Sequence, residues 1–195
     1  MNVAVTGTTG GIGGAVAKAL AAAGHRVIAI NRPEWRIIAE GGGKGMFAGP
    51  LDAVVFASGF CPVTSLVKMS DEAFMEAISV NCGLFLSLMR LIVKERLYAK
   101  GGMRAVAVSS VSAREGWAGG AAYCASKGAL SAMCRALDKE LSPRGISVAA
   151  LEPGHVRTRM FEECAMRMGA DPASALAPEE LANEICGLLS ASEAR

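Results

Sequence analysis

The stretch Val3-Ala4-Val5-Thr6-Gly7-Thr8-Thr9-Gly10-Gly11-Ile12-Gly13-Gly14 decides the fold. Val3–Thr6 reads as a short buried strand running straight into a glycine loop. Ala15–Ala23 then reads as an alanine-rich helix stopped by Gly24, and Val27–Ile30 as a second buried strand. Strand, glycine loop, helix, strand is a βαβ unit. Glycines at such a turn let backbone N–H groups approach a pyrophosphate at the positive end of the helix. Gly7, Gly11 and Gly13 are where a side chain would interfere, and Thr9 and Ile12 belong to the same turn. No Gly-Lys-Ser/Thr follows, so this is not a Walker loop. The alternative is a plain flexible turn.

Outward from this unit, the pattern dissolves between Asn31 and Pro50, where Pro33, Gly41, Gly42, Gly43, Gly45 and Gly49 predict a loop. One short helix or strand is expected within it, at Trp35–Ala39. Ala53–Ala57, Ala105–Ser109 and Ser147–Leu151 read as strands. Asp71–Ala99 and Ala121–Leu141 read as long helices, with shorter ones at Phe161–Met168 and Pro178–Leu189. Short apolar strands alternating with helices predict an α/β fold, a doubly wound parallel sheet covered on both faces.

The 195 residues, 52% hydrophobic and 19% charged, suit one domain over 1–195 and exclude a disordered polymer. A net charge of +2 gives no electrostatic case for nucleic acid or an anionic membrane. Leu84–Val93 is the most apolar run, and Arg90 interrupts it before it reaches membrane-spanning length. The start carries no basic leader with a long apolar segment, so it does not read as a secretory signal. The cysteines at 61, 82, 124, 134, 164 and 186 form no Cys-x-x-Cys pair, so no metal site is expected. Reduced thiols point to the cytoplasm.

Chemistry-bearing residues cluster in four places. After the second strand, where an NAD site expects an acid, stand Asn31 and Arg32; a neutral residue plus a guanidinium favours a 2′-phosphate, hence NADP over NAD. Tyr123, Lys127, Leu130, Cys134, Leu137 and Leu141 form one helical stripe whose top rungs are a phenol and an ammonium. Lys127 is expected to lower the Tyr123 pKa and make it a usable acid or base; the alternative is a snorkelling lysine beside a core tyrosine. Phe74, Ile78, Asn81, Phe85, Leu88 and Ile92 repeat the spacing, and the buried carboxamide of Asn81 must bind something. Ser110 stands just past the end of a strand, where open sheets bind ligands, though a serine there also serves as a cap.

Together, Thr6-Gly7-x-x-x-Gly11-Ile12-Gly13, Ser110 and Tyr123-x-x-x-Lys127 resemble the short-chain dehydrogenase/reductase family. Ala57-Ser58-Gly59 looks like a variant of its Asn-Asn-Ala-Gly segment, Asn81 matches its helix asparagine, and Pro153-Gly154-x-Val156-x-Thr158 its motif after the sixth strand. The resemblance implies hydride transfer between NADP(H) and a ketone or secondary alcohol. It implies Tyr123 as general acid/base, Ser110 on the carbonyl oxygen, Lys127 on the nicotinamide ribose, and Asn81 ordering a water that links Lys127 to solvent. Pro153 to Thr158 would border the nicotinamide, and Ser58-Gly59 would lie near the ribose. An NAD-dependent alcohol dehydrogenase and a non-catalytic NADP-binding sensor or scaffold are the alternatives.

Against the family pattern, the Rossmann-like sheet is expected to be shortened around its third strand, with that strand missing or rebuilt from Trp35–Ala39. It is also expected to lack the usual C-terminal strand. Met160, Phe161, Met166 and Met168, with Trp117, suggest a largely apolar pocket for a small carbonyl or alcohol. Arg157, Arg159 and Arg167 are candidates for greeting an anionic or carrier-bound substrate, and His155 for approaching the cofactor. Leu84, Leu91, Ala129 and Met133 suit a symmetric face, so a homodimer or higher homo-oligomer is expected.

Overall fold

The computed structural model describes residues 1–190. Five parallel strands form one sheet in the order β2-β1-β3-β4-β5. They are β1 (Asn2–Thr6), β2 (Arg26–Ile30), β3 (Ala53–Phe56), β4 (Met103–Val108) and β5 (Ile146–Leu151). Side chains alternate between two cores, as the strand pleat dictates. Val3, Val5, Ala53, Val55, Val106 and Val108 face α1 (Gly11–Ala22) and α7 (Pro178–Ser190). Ala4, Val54, Phe56, Ala105 and Ala107 face α2 (Arg32–Ala39), α4 (Leu84–Lys94) and α5 (Ala121–Leu141). Both faces are covered, which is why the strands are almost wholly apolar.

Two expectations change, and one left open is decided. First, α1 starts at Gly11, inside the glycine loop, so the loop supplies the helix's own first turn. Second, Trp35–Ala39 lies in a helix and rebuilds no strand; an Asn31 N–H held by Glu34 Oε2 at 2.8 Å starts it, and Trp35 and Ile38 anchor it in the core. Trp35 meets Phe56 edge-on at 5.8 Å, and Phe56 meets Phe85 at 5.3 Å. Strand β2 is therefore a sheet edge. The opposite edge is β5, since no strand follows α7 among the described residues.

Third, the long helix expected over 71–99 is divided. An α-helix α3 (Asp71–Ile78), started by the Ser70 hydroxyl, passes into a π-helical turn at Ser79–Gly83, and then into α4, which stops at Lys94. By length and composition Asp71–Lys94 could cross a membrane. In this fold its α4 half packs Phe85, Leu88, Met89 and Ile92 into the core. Leu91, expected on a face between subunits, is only 4% exposed and belongs to that same core; Leu84 and Met133 pack partly buried against it.

Candidate active site

The carboxyl ends of β1, β3, β4 and β5 converge with the starts of α1, α5 and α6 (Arg159–Met168). At Gly7 the backbone is left-handed (φ +67°), and a Cβ would press on the Ala57 carbonyl oxygen at 3.1 Å. A Cβ on Gly13 would collide with the carbonyls of Gly7 and Thr6; one on Gly11 would sit 2.6 Å from Thr158 Cγ2. Any side chain at these positions would fill the cradle between β1, the segment after β3 and Thr158. No side chain caps the N-terminus of α1 there. Uncapped N–H groups facing a cradle of this kind fit a pyrophosphate.

Below the cradle, the Thr6 hydroxyl oxygen receives Ala57 N at 3.0 Å, Ser58 N at 3.1 Å and the Ser58 hydroxyl at 3.1 Å. This buried hydroxyl fixes Ala57-Ser58-Gly59 against the glycine loop. Its sequence signal was a polar residue ending an otherwise apolar strand. Asn31 Nδ2 donates to Thr8 Oγ1 at 3.0 Å, tying the end of β2 to the same loop. Arg32 is exposed and makes no hydrogen bond or ion pair among the described residues. Thr9 is exposed at the turn, whereas Ile12 lines the cavity described next.

That cavity, about 100 Å³, is lined by Ser110, Tyr123, Cys61 and Cys164, by Pro153, Gly154, His155, Val156 and Thr158, and by Met160, Phe161 and Met168. A larger cleft of about 420 Å³ opens at the other end of the sheet, beside Asp52, Arg104 and Ser147. Ligands of open parallel sheets bind outside the carboxyl ends of the strands, so the chemistry belongs to the smaller cavity. Met166, at 94% exposure, points away from it, and Trp117 lies outside its lining, its indole N–H donating to Ser112 Oγ at 3.3 Å. The three arginines are engaged elsewhere: Arg157 with Ala175 O, Arg159 with Glu163, and Arg167 with Val63 O at 2.8 Å. His155 stacks on Phe161 at 4.8 Å within the lining.

Ser110, buried at the end of β4, accepts Ser112 N at 3.1 Å and lies close enough to the phenol of Tyr123 to draw its pKa down. Lys127 is buried, its ammonium donating to Val108 O at 2.8 Å and standing 5.7 Å from the Tyr123 ring centroid. Burial pulls the Lys127 pKa from 10.5 to about 8. Tyr123 moves opposite to expectation. Burial first, then the neighbouring Cys61, pushes the phenol above its ordinary value, outweighing Ser110. The spacing put Lys127 beside Tyr123 but under the ring face, so its charge does not lead the phenol's response.

Asn81 sits in the π-turn, fully buried. Its Oδ1 accepts Phe60 N at 2.7 Å, and its Nδ2 donates to Phe60 O at 2.8 Å and to Ser126 Oγ at 2.7 Å. The protein partners of this amide are thus the loop after β3 and a serine hydroxyl on α5. Ser126 was not anticipated; a small hydroxyl one residue before Lys127 gives no periodic signal. A Cβ on Gly59 would lie 3.6 Å from Asn81 Oδ1 and 3.8 Å from Lys127 Nζ, so the three meet at one point.

The short chain dehydrogenase family profile matches residues 42–168. The short-chain reductase protein NovJ of Streptomyces niveus is 32% identical over 201 residues, covering 88% of this chain and 75% of that protein. The 3-oxoacyl-[acyl-carrier-protein] reductase FabG of Rickettsia felis is 31% identical over 179 residues, covering 82% and 74%. A solved dehydrogenase/reductase from Sinorhizobium meliloti superposes with a TM-score of 0.80 at 25% identity, covering 96% and 87%. The chain belongs to the short-chain dehydrogenase/reductase family. It is an NAD(P)-dependent oxidoreductase built on a Rossmann-like sheet.

Proposed function

We propose that the chain interconverts a ketone and a secondary alcohol with NADP(H), Tyr123 moving the proton. What carries this reading is Ser110 and Tyr123 lining one cavity beside the glycine cradle, with the buried Lys127 ammonium against the Tyr123 ring. When bound, the nicotinamide supplies or accepts the hydride. Gly7, Gly11, Gly13 and Ile12 would hold its pyrophosphate side, Ser58 and Gly59 the ribose, and Pro153 to Thr158 the ring. As the carbonyl carbon becomes tetrahedral, its oxygen gains charge, which the Ser110 hydroxyl stabilises by donating to it. The Tyr123 phenol, kept protonated by burial, then gives up its proton. The Lys127 ammonium under the ring stabilises the phenolate left behind. Asn81 is a positioning residue: it clamps Phe60 and, through Ser126, the first turns of α5.

Cofactor choice turns on two groups near the end of β2. Arg32 is free to take a 2′-phosphate, which favours NADP, while Glu34, held on the Asn31 N–H, brings a carboxylate that favours NAD. The apolar lining by Met160, Phe161 and Met168 suits an apolar ketone, and likeness to the 3-oxoacyl-[acyl-carrier-protein] reductase FabG makes a 3-oxoacyl group the first to try. A cytoplasmic homodimer belongs to the same reading. Fluorescence titration with NADPH and NADH, followed by a carbonyl panel, tests it. Preferential binding of NADPH with turnover of a ketone is expected. NADPH binding without turnover on the whole panel would favour a sensor, and preference for NADH would overturn the Arg32 assignment.

A further inference from the structure

Two neighbouring thiols line the proposed substrate cavity. Cys61 stands in the loop after β3, immediately after Phe60, whose N–H and carbonyl are both held by Asn81. Cys164 lies on α6, and its sulfur sits 3.9 Å from the Cys61 carbonyl oxygen. Arg167, one turn further along α6, donates to Val63 O of the same loop at 2.8 Å. The two segments are thus already in contact at the cavity wall, with both cysteines in its lining. Neither residue touches the reacting atoms in the mechanism above, and Cys61 enters it only by raising the Tyr123 phenol. Among the described residues, no third His, Cys, Asp or Glu joins them in a metal-binding group.

We propose that Cys61 and Cys164 are a redox pair whose oxidation to a disulfide by a hydroperoxide closes the substrate cavity. Attack by the Cys164 sulfur on the peroxide forms an S–O bond and breaks the O–O bond. Sulfur is oxidised to the sulfenic acid, and the peroxide is reduced to water. Cys61 sulfur then attacks Cys164, forming the S–S bond and breaking S–O, and a second water leaves with the thiol proton. Two thiols and one hydrogen peroxide give one disulfide and two waters. The new bond fastens α6 to a loop that Asn81 already holds rigid, so the substrate wall loses its freedom while the glycine cradle is untouched. A reductant reverses it.

The inference rests on the assignment of this cavity to substrate, and the test separates the two. The purified 195-residue chain is treated with hydrogen peroxide, its remaining thiols are alkylated, and its peptides are mapped by mass spectrometry. A peptide pair joined through Cys61 and Cys164 is expected. Ketone turnover should fall by about tenfold or more, be restored by dithiothreitol, and leave NADPH affinity within about threefold. Cys164→Ser should show neither the link nor the reversible loss, and Cys186→Ser should show both. Two free thiols after treatment, or a link through Cys124 instead, would overturn the pair. So would an equal reversible loss of turnover in Cys61→Ser and Cys164→Ser. The peptide map needs no substrate, so a chain that reduced no ketone would refute the reductase reading while the map still decided the disulfide.

Discussion

Lys127 carries its charge into a site only 4% exposed, balanced by one carbonyl and one ring face. Its native pKa of about 8 lies below the ordinary 10.5, so between those values the unfolded chain binds the proton that the native state has released. Stability contributed by this group therefore rises with pH across that window. Wild type should gain about 2 kcal/mol relative to Lys127→Met between about pH 7 and about pH 9.5, read by denaturant unfolding at both pH values. The same titration bears on turnover. Tyr123 stays protonated through neutral pH, so ketone reduction should hold level there and decline above about pH 8 as Lys127 loses its charge; a kcat/KM profile flat to about pH 10 would contradict this. Spacing alone revealed that Tyr123 and Lys127 are neighbours. The direction of the Tyr123 shift was hidden because it depends on burial and on Cys61, which arrives from another part of the chain.

The glycine loop and the π-turn carry the site's tolerances at the scale of elements. A Cβ at Gly13 meets backbone that cannot yield, whereas at Gly45 it meets open space. Gly13→Ala should destabilise the fold by about 1–3 kcal/mol and weaken NADPH binding, with Gly45→Ala indistinguishable from wild type in calorimetry and titration. Asn81→Ala would leave the Phe60 N–H and carbonyl and the Ser126 hydroxyl without their partner. A loss of about 2–4 kcal/mol in unfolding free energy is expected; a loss within about 0.5 kcal/mol would deny Asn81 its clamping part. The strands were readable because residues buried on both faces leave an unbroken apolar run, as at Val3–Val5 and Val54–Phe56. The π-turn was not, because the 4-3 apolar spacing assumes an unbroken helix; the bulge rotates the segment before it, so Ala77 is buried and Phe74 is exposed. Trp35–Ala39 was ambiguous because its length suits a strand or a helix, and Glu34's hold on Asn31 decides it.

At the scale of the molecule, the shortened crossing between β2 and β3 removes a strand from one edge and replaces it with α2, leaving the ligand-binding end of the sheet intact. Cradle, cavity and catalytic candidates all sit on the retained strands β1, β3, β4 and β5, which is why a short sheet keeps a whole site. The surface proposed for a second copy is smaller than the sequence suggested, since Leu91 is in the core, and it would rest on Leu84, Ala129, Met133 and the 43%-exposed Leu86. Light scattering should give a dimer at micromolar concentration, and a monomer would refute the pairing. Tyr123 is proposed to give the proton in ketone reduction, and Tyr123→Phe isolates that role because it removes one oxygen and keeps the ring over Lys127. Ketone-dependent NADPH oxidation should fall about 10²–10⁴-fold while NADPH affinity changes by less than about threefold. A Tyr123→Phe protein that turned over ketone at the wild-type rate would contradict the account.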